Sequence, residues 1–591
     1  MANKTKLELT WIGKDIRPRL EPRILLEDPE KSYHAKEKVT DHDIFDNRLI
    51  FGDNLLALKA LEQEFTGKVK CVFIDPPFNT GGAFEHYDDG VEHSLWLNVM
   101  HQRLTLLHRL LSPEGAIVVN LDDTESAYCK VMMDEIFGRE NYITTVIVEG
   151  ATASSFKTFN IGPTQVAQYL LLYAKDKAAF DYRQQYIPIY DIDLQHFSRF
   201  IVNFSSPAEE WQFQSINSHV LSEMGYVGDT PHAQWAAVKR ALGDEEAKHI
   251  VHEKALDFAL ENCDRVFETK TLQKPSRWLH DHLKQSLATD HVIALERAGL
   301  DALYLYKGRQ VYFLGKGVQK IDGERVVTQP VSNIWNDIPT NNLKDEGGID
   351  FPSGKKPEFL LRRIIRMIAP NRGELILDSF GGSGTTGAVA HKMGCRWIMV
   401  ELGEHCDTHI LPRLRKVVDG TDPGGVTETE KWKGGGGFRY YRLAPSLIEN
   451  DRFGNPIISP KYNAAMLAEA MCKIMGYQYA PNDQTFWQQG HATENDYLYV
   501  TTQTLTHEQL AQLSEEVGEG RTLMVCCSAF RGKAAMFQNL TVEKIPSSVL
   551  NRCEWGHDDY SLQVANLPQA PGPAPKPQMA LFDGPSEESA Q

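Results

Sequence analysis

Residues 70–78 read Lys-Cys-Val-Phe-Ile-Asp-Pro-Pro-Phe. The apolar run that ends at Ile74 predicts a buried strand, and the two prolines predict a rigid turn after it, because proline cannot continue a hydrogen-bonded ladder. Open α/β sheets bind their ligands at this carboxyl edge. The turn would present the Asp75 carboxylate, the Pro76 carbonyl and the Phe78 ring. Two acceptors and an aromatic face suit a reaction on an exocyclic amine of a stacked base; a plain strand-ending loop is the alternative interpretation.

A second stretch, Leu377-Asp-Ser-Phe-Gly-Gly-Ser-Gly-Thr-Thr-Gly387, lies between a predicted strand, Glu374–Asp378, and a predicted helix, Ala388–Met393. Its glycines would let a nucleotide-like ligand approach the backbone. No Gly-Lys-Ser/Thr follows, so a phosphate-binding P-loop is not expected. One strand later, Glu401 follows the apolar run Trp397–Val400, a position suited to ribose hydroxyls. A nicotinamide- or flavin-type turn, or a tight turn without ligand, is the alternative interpretation.

The composition is that of an ordinary globular protein. The chain has 591 residues, of which 42% are hydrophobic and 24% charged, enough for three or four domains of roughly 150 residues each. The net charge of −17 leaves room for local basic surfaces that could contact nucleic acid. The cysteines show no CxxC or zinc-ligand spacing, so we expect no metal. No apolar run approaches the ~18 residues that span a bilayer, and we expect a cytoplasmic protein without membrane contact.

Apolar runs alternate with helical patterns from Arg48 onward, which indicates a parallel α/β sheet. The pattern breaks near Asp181, beyond which polar helical stretches (209–268) are followed by a predicted hairpin, Leu303–Leu314, with Lys307 and Gly308 at its turn. It resumes near residue 331, and a proline-rich, weakly apolar tail follows residue 563. From these changes we predict six segments: an N-terminal extension (1–47), a catalytic half of the core (48–181), an insert (182–330), a cofactor half of the core (331–447), a C-terminal α/β domain (448–563) and a disordered tail (564–591).

Taken together, the two motifs resemble the amino-methylating DNA methyltransferases of the circularly permuted β group, which use S-adenosylmethionine. In that group the catalytic motif precedes a target-recognition insert and the glycine loop follows it. The layout, with Gly52-Asp-Asn-Leu55 before the catalytic strand, is most similar to the modification subunits of Type III restriction systems. The resemblance covers about residues 45–180 and 330–445. Other matching stretches are Asn120–Asp123, Asp134–Gly138, Glu346–Phe351 and Lys355–Glu358.

This resemblance implies a fold and a reaction. The fold would be α/β, with a Rossmann-like S-adenosylmethionine-dependent methyltransferase core in permuted motif order, an inserted recognition domain and a small C-terminal α/β domain. The catalytic residues would be Asp75, Pro76, Pro77 and Phe78, where the family usually has Tyr in place of Phe. Asp75 at the first position, rather than Ser, favours adenine N6 over cytosine N4. A base inside a duplex cannot reach such a pocket, so the target adenine would be flipped out.

The resemblance also implies a cofactor site. Asp53 would contact the adenine of the cofactor and Glu401 its ribose. Lys356 and Pro357 fall in a motif that flanks the cofactor. The methionine end would be lined by Asp378, Phe380, Gly381 and Gly384, with Thr385 and Thr386 nearby.

Recognition of double-stranded DNA is expected in the insert. Arg and Lys suit guanine edges and phosphates, although charges on a solvated helix and hairpin are the alternative interpretation. The candidate contacts are Lys270, Lys274, Arg277, Lys307 and Arg309.

The tail contains Gln578-Met-Ala-Leu-Phe582, which resembles the Gln-x-x-Leu-Phe peptide that docks bacterial proteins on the replication sliding clamp. An extended peptide with the polar anchor Gln578 and the apolar anchors Leu581 and Phe582 suits a preformed groove; an incidental apolar island is the alternative. Further expected partners are a restriction or other defence-system subunit and, by family analogy alone, a second copy of the chain.

Three functional hypotheses follow. The leading one is an N6-adenine DNA methyltransferase that serves restriction-modification or another phage-defence system. The second is an N4-cytosine DNA methyltransferase. The third is a non-catalytic DNA-recognition subunit that retains the cofactor site as a structural element.

Overall fold

The structure is a computed structural model that describes residues 8–77, 89–150, 163–189, 194, 196–297, 299–321, 323–340, 343–351, 354–558 and 560. The chain divides into two compact units. Unit 1 consists of Met1–Arg183 and Asn333–Gln591, and unit 2 of Gln184–Ser332. Unit 2 spans nearly the same residues as the predicted insert, 182–330.

The strands fall into one large sheet and several smaller ones. In chain order they are β1 Leu25–Glu27, β2 Tyr33–His34, β3 Asn47–Phe51, β4 Val69–Ile74, β5 Leu111–Leu121, β6 Tyr142–Glu149, β7 Ala167–Ala174, β8 Tyr186–Pro188, β9 Arg199–Ile201, β10 Phe213–Ser215, β11 Val266–Lys270, β12 Ile293–Arg297, β13 Leu300–Tyr306, β14 Arg309–Phe313, β15 Val318–Ile321, β16 Glu324–Pro330, β17 Ile334–Trp335, β18 Leu375–Asp378, β19 Arg396–Glu401, β20 Gly437–Leu443, β21 Ile448–Asn450, β22 Pro456–Ile458, β23 Gln478–Tyr479, β24 Gly490–Thr493, β25 Asp496–Leu505, β26 Thr522–Phe530 and β27 Leu540–Lys544.

Helices flank these sheets, and within the described part of the chain none is both long and apolar enough to cross a membrane. The α-helices are α1 Asn54–Phe65, α2 Asp89–Leu110, α3 Ser126–Met133, α4 Ile216–Glu223, α5 Pro231–Leu242, α6 Asp244–Glu261, α7 Arg277–Leu287, α8 Glu358–Ile368, α9 Thr385–Lys392, α10 Leu411–Val418, α11 Ala464–Met475 and α12 His507–Val517.

The main sheet of unit 1 has the order β1-β20-β3-β19-β18-β4-β5-β7-β6-β17, and β2 also pairs with β20. The strands from β20 to β5 run parallel to one another, whereas β7 is antiparallel to both β5 and β6. Helices α1, α2 and α3 share one apolar core with these strands. Helix α9 packs on the opposite face, where Gly387 approaches Met399 and Trp397 so closely that a Cβ would not fit. The α/β prediction is therefore confirmed.

The order of the strands creates a crevice between β18 and β4. The chain leaves β18 through α9 toward β19 on one side, and leaves β4 through α2 toward β5 on the other. Such a switch point opens a space at the carboxyl ends of the two strands, because their connections diverge. Asp75 and the glycine-rich stretch follow these two strands, so the fold brings both sequence motifs to one edge.

Two terminal segments add to unit 1. The N-terminal extension, which shows only weak periodicity, supplies β1 and β2 as antiparallel partners of β20. Its hydrogen bonds are made to a strand more than 400 residues away, which local sequence patterns do not reveal. The C-terminal part forms its own sheet in the order β23-β24-β25-β26-β27.

Unit 2 contains a sheet in the order β10-β9-β11-β14-β13-β12 and a smaller one formed by β15, β16 and β8. The predicted hairpin is confirmed as β13 and β14, with Lys307 and Gly308 at positive φ in its turn. Helices α4, α5 and α6 share an apolar core with β9 and β11. The stretch 209–268, predicted to be helical, also contains β10 and the beginning of β11.

Candidate active site

The Asp-Pro-Pro turn begins where β4 ends, and both oxygens of the Asp75 carboxylate have protein partners. Asn120, at the end of neighbouring β5, donates from Nδ2 to Oδ1 at 2.7 Å. The ammonium of Lys356 lies 2.6 Å from Oδ2. The Trp96 indole of α2 donates to the Pro77 carbonyl at 2.9 Å, which anchors the turn. Phe78 lies outside the described residues.

The glycine-rich turn begins with Asp378, the last residue of β18. Its carboxyl group accepts a hydrogen bond of 2.9 Å from the Phe380 N–H and one of 2.5 Å from the Thr386 hydroxyl. Burial raises the pKa of Asp378 to about 8, a rise to which the charges of Asp75 and Glu401 contribute and which the two hydrogen bonds oppose. The carboxyl group therefore fixes the turn from inside and adds little negative charge at neutral pH.

Backbone conformation requires glycine within this turn. Gly384, directly before α9, has a φ of +78°, and a Cβ there would lie 3.0 Å from Ile410 Cγ2. A Cβ at Gly381 would lie 3.2 Å from both the Ile410 side chain and the Val400 carbonyl. The hydroxyl oxygen of Ser379 is buried and has no hydrogen-bond partner among the described residues. A ligand can therefore approach the backbone of the glycine-rich turn closely, and the Ser379 hydroxyl is available to bind it.

Glu401, at the end of β19, faces the same turn. Its Oε2 accepts the Gly382 N–H and its Oε1 accepts the Gly403 N–H, both at 2.8 Å. His405 Nε2 lies 3.0 Å from Oε1, and this hydrogen bond raises the pKa of His405. Oε1 thus has two partners, whereas Oε2 keeps a further lone pair for a ligand hydroxyl.

Asp53 stabilises the start of α1. It is the N-cap of α1, where Oδ1 accepts the Leu56 N–H at 3.0 Å, while Oδ2 accepts from Arg103 at 3.1 Å and from the Tyr560 N–H at 3.2 Å. The neighbouring Asn54 donates to the Ser379 carbonyl at 2.7 Å, which joins the β3–α1 turn to the glycine-rich turn. A contact of Asp53 with cofactor adenine stays a prediction.

Lys356 and Pro357 precede α8. The Lys356 side chain extends to Asp75, while its backbone carbonyl accepts a hydrogen bond of 3.2 Å from Thr385 Oγ1 in the glycine-rich turn. Pro357 is the N-cap residue of α8. Lys356 therefore touches both halves of the site, which are separated by more than 270 residues of sequence.

A buried network of ion pairs contacts the glycine-rich turn. Arg413 donates to the Thr385 hydroxyl at 2.8 Å, to the Ser383 carbonyl at 3.1 Å and to Glu358 at 2.7 Å. Lys392 lies 2.8 Å from both Glu358 and Asp422. Because breaking a buried pair leaves a charge uncompensated, this network holds the turn in place.

The family model for N6/N4 methyltransferases, described as DNA methylase, matches residues 69–294 and 301–410, more than half of the chain. The chain belongs to the DNA methylase family. Among its curated relatives is the "Probable type III restriction-modification enzyme HindVI Mod subunit" of Haemophilus influenzae, 34% identical over 68% of this chain and 54% of that protein.

A second relative of this DNA methylase family member is the EcoP15I Mod subunit of Escherichia coli, also a Type III restriction-modification enzyme. It is 27% identical over 68% of this chain and 65% of that protein. The chain spans about half to two thirds of the length of these relatives. The match to the solved structure of the PvuII DNA methyltransferase (cytosine-N4-specific) covers 68% of this chain and 94% of that chain. The sequence identity is 11% and the TM-score is 0.31.

The residues predicted to contact DNA all lie in unit 2 and are exposed, and several of them are near one end of its larger sheet. Lys270 ends β11 opposite Gln310, beside Arg309 at the start of β14. Lys307 occupies the preceding hairpin turn, 3.4 Å from Asp290. Lys274 lies in the connection to α7 and Arg277 is the first residue of that helix.

Several residues that build the site had no predicted role. Asn120 binds Asp75 and Arg103 binds Asp53, while Asn54 binds the Ser379 carbonyl in the glycine-rich turn. A buried asparagine that ends an apolar strand was the available signal for Asn120. Within the ranges described, no group of three or more His, Cys, Asp or Glu converges as a metal site would. Gln578, Leu581 and Phe582 lie outside the described residues.

Proposed function

We propose that this chain transfers a methyl group from S-adenosylmethionine to N6 of an adenine in duplex DNA, as the modification component of a Type III restriction-modification system. One observation carries the proposal: the Asp-Pro-Pro turn after β4 and the glycine-rich turn after β18 meet at the switch point of the sheet. Membership of the DNA methylase family and the names of the relatives support it.

The glycine-rich turn fits the cofactor. Gly381 and Gly384 allow close approach, Ser379 offers a buried hydroxyl without a partner among the described residues, and Glu401 Oε2 offers an acceptor for a ribose hydroxyl. We propose that Phe380, Thr385 and Thr386 lie beside the methionine end of the bound cofactor. S-adenosylmethionine supplies an electrophilic methyl group when bound. The residues of the chain bind and orient it.

Asp75 and the Pro76 carbonyl would accept the two N–H bonds of the target amine. These contacts draw the nitrogen lone pair out of conjugation with the ring and point it toward the methyl donor. Flipping the adenine out of the duplex costs about a few kcal/mol. We propose that Phe78 stacks on the flipped base and that unit 2 reads the surrounding sequence.

The proposed partners are duplex DNA, a restriction subunit that cleaves DNA, and a second copy of the chain. The sliding clamp is a further proposed partner, through Gln578, Leu581 and Phe582. Deletion of 578–582 should abolish co-purification with the clamp and leave methylation in vitro unchanged. A deletion protein that still binds the clamp would refute this contact.

The decisive experiment is nucleoside mass spectrometry of DNA incubated with the protein and S-adenosylmethionine. Asp75→Ala serves as the inactive variant and Asp41→Ala, at an exposed carboxylate, as its control. We expect N6-methyladenine from wild type and Asp41→Ala only. N4-methylcytosine would overturn the base assignment. Bound cofactor and DNA without a methylated base would favour a recognition subunit.

A further inference from the structure

The ion pair between Lys356 and Asp75 has a consequence for catalysis. The Nζ atom lies 2.6 Å from Asp75 Oδ2, and the two side chains are only 9% and 18% exposed. A pair so little exposed to water is weakly screened by salt. The Lys356 ammonium therefore interacts with the Asp75 carboxylate in a site from which water is largely excluded.

Lys356 is held from the cofactor side. Its carbonyl accepts the Thr385 hydroxyl, which in turn accepts from Arg413. The adjacent Lys355 donates to the Ile349 carbonyl at 3.2 Å. The backbone at Lys356 is thus fixed by the first residue of α9 and by the segment before α8, so the side chain reaches Asp75 from a defined position.

The Asp75 carboxylate is oriented at both oxygens. Asn120 occupies one lone pair of Oδ1 and Lys356 one lone pair of Oδ2. A carboxylate offers about four such positions, so acceptor sites remain for an amine N–H.

We propose that Lys356 is a positioning residue for Asp75, which fixes the rotamer of the carboxylate as an acceptor for the target amine. This proposal rests on the proposed methyltransferase function and differs from the role of cofactor ligand that the sequence suggested for Lys356.

The test compares Lys356→Met, Lys356→Arg and Lys344→Met, the last at an exposed lysine of unit 1. For Lys356→Met we expect kcat to fall by about 10- to 100-fold, as for a small displacement of a reacting group. The calorimetric Kd of Lys356→Met for S-adenosylmethionine should change less than twofold. Lys356→Arg should recover most of kcat, and Lys344→Met should behave as wild type.

A Lys356→Met protein with a weakened cofactor Kd and an unchanged kcat would overturn the proposal in favour of a cofactor ligand. An inactive wild type would refute the proposed function instead. In that case thermal unfolding of Lys356→Met, Asp75→Asn and the double variant still tests the pair. If the Tm shift of the double variant differs from the sum of the two single shifts, the pair is supported. If the shifts are additive, the pair is overturned.

Discussion

The Asn120 amide donates a hydrogen bond of 2.7 Å to the Asp75 carboxylate, across two neighbouring parallel strands. The same nitrogen donates to Gln168 Oε1 at 3.2 Å. Asn120 is fully buried, so the bond is protected from competition by water. The orientation of the candidate catalytic carboxylate is therefore set by the sheet itself.

Asn120→Ala should reduce kcat by about 10- to 100-fold, because Asp75 would lose the partner that orients Oδ1. The KM for DNA and the Kd for S-adenosylmethionine should stay close to wild type. Steady-state methylation kinetics measure the effect. Gln168→Ala removes the other acceptor of the same amide and should cost less than threefold; equal losses in the two variants would contradict the assignment.

Gly384→Ala should weaken cofactor binding by tenfold or more. The new Cβ would meet Ile410 at 3.0 Å at a φ of +78°, so the turn would have to shift. Gly373→Ala is a matched control, since its φ is +79° and nothing lies within 4 Å of the added atom. It should cost about 1–2 kcal/mol of stability through backbone strain alone. Calorimetry and thermal unfolding separate the two, and identical cofactor affinities would refute the prediction.

The contribution of Glu346 to the free energy of unfolding should fall as pH rises from about 4.5 to 7. Burial raises the pKa of this carboxyl group to about 7, and the charge of Glu358 adds to the rise. The folded state then binds the proton more tightly than the unfolded state, so the contribution is complete below pH 4.5 and lost as pH rises through 7.

Glu346→Gln should remove this dependence. The difference between the unfolding free energies of variant and wild type should change by about 3 kcal/mol across the interval. Denaturant titrations at several pH values measure it. Glu245→Gln, at an exposed carboxylate, should follow the wild-type curve, and a parallel curve for Glu346→Gln would count against the assignment.

Lys307→Ala and Arg309→Ala should each weaken duplex binding and lower the slope of log K against log salt by about 1, if each side chain contacts one phosphate. Fluorescence anisotropy over a range of salt concentrations gives the slopes. Lys254→Ala changes an exposed cation of α6 in the same unit and should leave the slope unaltered. Unchanged slopes for Lys307 and Arg309 would remove them from the DNA-binding surface.

Short stretches of sequence are enough to predict the class of fold and the two motifs. Apolar periodicity and proline or glycine at strand ends are local properties, so β4, β18, the β13–β14 hairpin and the turns at Asp75 and Asp378 could be predicted from short windows. The resemblance to a methyltransferase family added their order along the chain.

Which segments meet depends on the folded chain. The N-terminal strands β1 and β2 pair with β20 near the other end of the core, and the Lys356 ammonium reaches Asp75 while its carbonyl binds Thr385. Asp53, assigned to cofactor binding by resemblance, caps α1 and pairs with Arg103. These contacts join residues far apart in sequence, and their side-chain partners follow from packing in the folded sheet, which no local pattern encodes.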